Sequence, residues 1–164
     1  MKAKTIATLD RIVAKANDPN YLKEAGQYVQ TAAKLMAPAD SGYLRNSIFL
    51  EVEPTNEGME ADVYTNLQYA PYVEFGTGPK GAANHAGISP EVTVAYTMEP
   101  WWIHESQIDP AVADRYHWLY IETEQGRFYR CDGQPAQPFM YPALHDNIQA
   151  VMDILRRGMK EAMK

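Results

Sequence analysis

Two phrases about sixty residues apart constrain this chain most: Tyr69-Ala-Pro-Tyr-Val-Glu-Phe-Gly-Thr-Gly78 and Gln137-Pro-Phe-Met-Tyr-Pro-Ala-Leu144. Both are aromatic, interrupted by proline or glycine, and poor in groups that do chemistry. Their composition suits an assembly surface or a packed corner, not a reaction centre. Between them, roughly residues 77–117 are rich in Gly, Pro and aromatics. A connection that long inside one domain is uncommon and is usually functional or mobile.

The elements around these phrases follow from periodicity. Residues 4–16 set Ile6, Leu9, Ile12 and Val13 on one stripe, which predicts an amphipathic helix. After Asp18-Pro19-Asn20, a second helix is predicted from about Tyr21 to Met36, with Leu22, Ala25, Val29, Ala32, Ala33 and Met36 on one face. Pro38 ends it, because a proline disfavours helical geometry in the residue before it. Residues 47–53 and 59–65 read as a hairpin, and 118–123 with 127–130 read as a second one around Glu124-Gln-Gly126. Val92–Thr97 is a candidate extra strand. A long helix from about Pro142 to Met163 closes the chain. The expected fold is α+β: an antiparallel sheet packed by two N-terminal helices and a C-terminal helix, with residues 77–117 as an elaborated loop or arm. The phrase at Tyr69–Gly78 is expected to close the sheet and launch that arm.

At 164 residues and 18.5 kDa, one domain spanning 1–164 is expected. No apolar run approaches the roughly 20 residues of a membrane span. The N-terminal residues lack the apolar centre of a secretory signal. With Cys131 as its one cysteine, no internal disulfide forms and a reducing cytosol is the natural compartment. The net charge of −6 is unevenly spread. Residues 1–45 hold seven Lys/Arg against four acids and residues 146–164 hold four against three, so 46–145 hold four against fourteen. That acidic middle argues against a dominant nucleic-acid-binding face, which needs clustered Lys/Arg.

Candidate chemistry is thin. Gly76-Thr-Gly-Pro-Lys-Gly81 lacks the spacer and the Ser/Thr of a phosphate loop and is read as leading into no helix. His85, His104, His117 and His145, with Glu74, Glu105 or Asp109, carry no metal-ligand spacing. Cys131 with His117 and Asp132 shows no nucleophile signature. The pairs Glu51/Glu53 and Glu122/Glu124 alternate along strands and so share a wet face. No cofactor is expected. Tyr96, Trp101, Trp102 and Tyr116 are expected to form an aromatic patch, either an exposed interface or a satellite core beneath the arm.

Three motifs in order resemble the tailed-bacteriophage neck proteins, the head–tail connector or tail-completion family. They are Pro38-Ala-Asp-Ser-Gly-Tyr-Leu-Arg-Asn-Ser-Ile48, then Tyr69–Gly78, then Pro138–Leu144 entering a helix, and the resemblance spans about residues 20–160. It implies a virion structural protein without catalytic residues, working as a ring at the joint between head and tail. Its implied partners are further copies of itself and other neck or tail proteins; DNA passes without specific binding, and neither a membrane nor a small molecule is engaged. Ser41, Gly42, Leu44, Arg45, Tyr69, Tyr72, Glu74, Gly76, Pro138, Phe139 and Pro142 match its recurrent positions. Arg45 and Glu74 are a candidate ion pair. A tail-terminator subunit remains an alternative within virion structure, and a small metal-dependent hydrolase or nuclease using the loop His and acids is the alternative of another class.

Overall fold

The computed structural model describes residues 19–39, 42–56 and 58–162; the helix expected over 4–16 lies outside them. Helix α1 spans Pro19–Met36 and buries Leu22, Ala25, Gly26, Val29 and Ala33. These residues recur every three or four positions, so one stripe of the helix faces inward. A short helix α2 (Tyr43–Asn46) leads into hairpin β1 (Ile48–Thr55) and β2 (Gly58–Thr65). These strands pair antiparallel from Ile48↔Thr65 out to Thr55↔Gly58. Because side chains alternate, Ile48, Leu50 and Val52 turn to α1 while Phe49, Glu51 and Glu53 point away.

The chain then forms α3 (Ala70–Phe75) and α4 (Gly78–Ala83) and runs through an extended stretch into β3 (Trp101–His104). A 3-10 turn (Glu105–Gln107), α5 (Pro110–Arg115), β4 (Tyr120–Thr123) and β5 (Gly126–Cys131) follow. The chain returns through α6 (Tyr141–His145) and α7 (Ile148–Ala162).

The main core gathers α1, the first hairpin and the two last helices around Leu22, Ile48, Phe139, Val151 and Leu155, all essentially inaccessible. On the surface Arg157 of α7 pairs with Glu24 of α1 and lies 5.6 Å from the centre of the Tyr21 ring. The hydrogen bond with Glu24 raises the pKa of that guanidinium, but exposed pairs of this kind add little to stability.

The α+β class holds, with the strands divided between two antiparallel sheets instead of one. The second sheet has the order β3-β5-β4, and Tyr129 of β5 and Ala113 of α5 are buried outside the main core cluster. The arm over 77–117 therefore contains two short helices, a 3-10 turn and an edge strand. Three expectations need correction. Val92–Thr97 joins no ladder among the described residues, and Trp101–His104 takes the place beside β5. Tyr69–Gly78 does not extend the sheet; most of it is α3. The final helix is broken at Asp146-Asn147, where the Asn147 side chain donates to the Ala143 carbonyl at 3.0 Å and its own carbonyl starts α7 by accepting from Val151 N. An asparagine that bonds local backbone in this way competes with helix continuation.

One polar pair fixes the root of the first hairpin. Ser47 Oγ donates to Leu44 O at 2.8 Å and lies 2.7 Å from Thr65 Oγ1, both residues being buried. Ser47→Ala is expected to destabilise by about 1–2 kcal/mol, because the Leu44 carbonyl loses its hydroxyl donor and Thr65 its partner. Urea unfolding checks this, and an unchanged midpoint would contradict it.

Candidate functional site

The two aromatic phrases meet, and a carboxylate joins them. α3 starts with Pro71 in its first turn, a position where the missing N–H costs nothing. It turns Ala70 and Glu74 inward, leaving Tyr69 and Tyr72 exposed. Glu74 is only 5% exposed. Its Oε2 accepts from the backbone N–H of Phe139 at 2.7 Å and of Met140 at 2.9 Å, and Oε1 accepts from Tyr141 N at 3.0 Å. Hydrogen bonds to an ionised acceptor are roughly twice as strong as neutral ones. Glu74 thus supplies backbone N–H groups just ahead of and at the start of α6 with the acceptor a helix start lacks.

Backbone bonds extend this seam. Gln137 N donates to Val73 O at 2.8 Å, and Thr77 and Gln134 exchange bonds of 2.9 and 3.1 Å as an isolated antiparallel bridge. Lys80 N donates to Asp132 O at 3.1 Å and Ala136 N to Asn84 O at 2.9 Å. Gln134 Nε2 reaches Tyr72 O at 2.8 Å, and Tyr96 Oη donates to Phe75 O at 2.7 Å. Phe139 is the buried plug beneath, Pro142 occupies the first turn of α6, and Pro138 packs beside Gly87. Gly76 ends α3 with its Cα pressed toward Gln134 O and Ala136 N.

The first motif sits apart from that seam but shares its core. Leu44 is buried in the cluster that holds Ala70 and Phe139. Gly42 opens α2 in the left-handed region, and Ser41 lies outside the described residues. The Arg45–Glu74 pair is not formed: Arg45 Nε donates to Ala37 O at 3.0 Å, while Glu74 is occupied by the three N–H groups. That partner of Glu74 lies in backbone sixty-five to sixty-seven positions away. Gln134 was also missed, since nothing in its local sequence marks a bridge to Thr77.

The four arm aromatics do not form one patch. Tyr96 and Trp101 line a groove of about 780 Å³ with Tyr72, Phe75 and Val94. Trp102, the next residue on β3, faces the other side of the sheet, and Tyr116 ends α5 exposed. The glycine-rich Gly76–Gly81 segment does lead into a helix, α4, contrary to expectation, but that helix has six residues and no Ser/Thr follows Lys80.

The histidines serve their own neighbourhoods. His104 Nε2 lies 2.8 Å from Gln125 O, which can only accept, so this nitrogen carries the proton and Nδ1 accepts from Ser106 N at 3.2 Å. His85 stacks on Tyr96 with ring centres 5.6 Å apart, and His145 is exposed beside Asp146. Asp132 is held by Arg130 at 3.0 Å. Among the described residues no group of three or more His, Cys, Asp or Glu is placed to hold a metal ion. No described helix is long and apolar enough to cross a membrane.

Residues 3–76 match the model of a family described as Bacteriophage HK97-gp10, putative tail-component. No curated protein and no solved structure matches the chain. The matched span ends at Gly76, so it takes in α1, α2, the first hairpin and α3 but neither the arm nor the last helices. From residue 3 through Gly76 the chain is thus similar to a family of phage tail components, and the phage resemblance carried by its motifs is borne out over the first of them and most of the second.

Proposed function

We propose that this protein is a structural component of a tailed phage or prophage, set at the head–tail joint as one subunit of a ring. The observation that carries this is the match of residues 3–76 to a phage tail-component family. The clasp between Glu74 and the third motif supports it, because it ties the matched half to the half beyond Gly76. On this reading the work of the corner is mechanical, and its groups hold backbone together instead of acting on a substrate.

The outward face of the first hairpin gives the ring a means of letting DNA pass. Glu51 stands opposite Asp62 and Glu53 opposite Glu60. Like charges directly across a ladder repel one another. Facing the channel, these carboxylates repel phosphate and keep the duplex from adhering.

Electron microscopy of particles made without this protein tests the reading. Full heads separate from tails of normal length are the expected result. Tails of irregular length would point instead to a terminator that caps the tube, and normal joined particles would overturn both.

A further inference from the structure

Among the strand edges left open in the described residues, two complement each other. Val92-Thr-Val-Ala-Tyr-Thr97 carries no helix, turn or bend, and five of its six residues are β-branched or aromatic, the composition of a strand. From Thr93 to Thr97 its backbone makes no backbone–backbone hydrogen bond among the described residues. It is nonetheless held in place. Val94 and Tyr96 are half-buried while Thr93, Ala95 and Thr97 are exposed, and Tyr96 is bonded to Phe75 O and stacked on His85. The segment is therefore anchored by its side chains while its main chain joins no ladder among the described residues, and backbone polar groups of that kind seek partners.

The second edge is β4, outermost in the β3-β5-β4 sheet. All four of its residues are exposed, and Leu119 just before it is 69% exposed. Edge strands are ordinarily blunted by lysine, proline or a bulge; the run Leu119-Tyr120-Ile121 has no lysine or proline.

We infer that copies of this chain join head to tail by strand addition, the open edge of β4 in one copy pairing with Val92–Thr97 of the next. This rests on the ring reading above and names its contact. A foreign peptide would fill one edge and leave the other empty, whereas a second copy fills both with one repeated contact. Two different patches meeting in this way make a heterologous interface, the kind that closes into a ring. Strand addition supplies main-chain hydrogen bonds, and the apolar side chains of β4 settle over the groove beside Tyr96 and Trp101.

The test uses particles assembled from an equal mixture of two single-cysteine variants in a Cys131→Ser background, Thr93→Cys and Ile121→Cys. Both positions are exposed, and unchanged melting of each variant checks folding. A short bis-maleimide is expected to give a covalent heterodimer from the mixture and no dimer from either variant alone. A dimer from Ile121→Cys alone means that β4 pairs with itself, which overturns the inference. If amine cross-linking yields multimers while the cysteine mixture yields none, the ring stands and this contact falls. If neither reagent yields anything above a single subunit, the ring reading fails and the contact with it.

Discussion

Glu74→Ala is expected to cost about 3–5 kcal/mol of unfolding free energy and to lower the melting temperature by roughly 10 °C for a chain of this size. The carboxylate is nearly inaccessible, and its two oxygens take all three N–H groups from Phe139 through Tyr141. Truncation leaves three donors at a helix start without an acceptor, one of them on the fully buried Phe139. Water can rescue the outer donors only by entering the corner, which then loosens the packing of Phe139. Glu74→Gln keeps one carbonyl oxygen but turns an NH₂ group toward a donor, so it should fall between Ala and the parent. Glu124→Gln, on the exposed turn of the second hairpin, serves as the control and should change little. Thermal and urea unfolding read the difference. A Glu74→Ala protein that melts with the parent would show that the clasp is not what holds the two motifs together.

That clasp shows where sequence reading reached its limit. Both hairpins, α1 and the α+β class were legible because each rests on a period of two or of three to four residues carried over several turns. α3 was not, since its six residues are too few for a helical period and include Pro71 and aromatics that fit other states equally well. Val92–Thr97 had the composition of a strand, yet pairing depends on what lies alongside, and β5 is flanked by Trp101–His104 instead. Glu74 was visible as an acid in an aromatic phrase, but its burial is set by chain sixty-five residues later. Arg45 seemed its natural partner by charge, whereas its Nε donates to a carbonyl eight residues away. The packed corner could be inferred from what its phrases lack; the atom that joins them could not.

Gly133→Ala is expected to destabilise by about 4 kcal/mol, combining left-handed strain of about 1–2 kcal/mol with the loss of two or three hydrogen bonds worth about 1 kcal/mol each. Gly133 has φ +79°, and a Cβ placed there would sit 1.9 Å from Thr77 O and 2.5 Å from Thr77 C. Those atoms are backbone and cannot rotate aside. The neighbouring residue makes the Thr77–Gln134 bridge, and Lys80 N is bonded to Asp132 O on the other side. A methyl group can enter only if this seam opens. Gly42→Ala separates strain from collision, because Gly42 has nearly the same φ of +78° but the nearest atom among the described residues, Asn46 Nδ2, is 3.9 Å from the added Cβ. It should therefore cost only the left-handed strain, about 1–2 kcal/mol. Hydrogen exchange locates the damage: in Gly133→Ala the amides of Thr77 and Gln134 should lose protection before those of Leu22 and Val29 in the core. Equal unfolding midpoints for the two variants would mean that the arm's return does not press against Thr77.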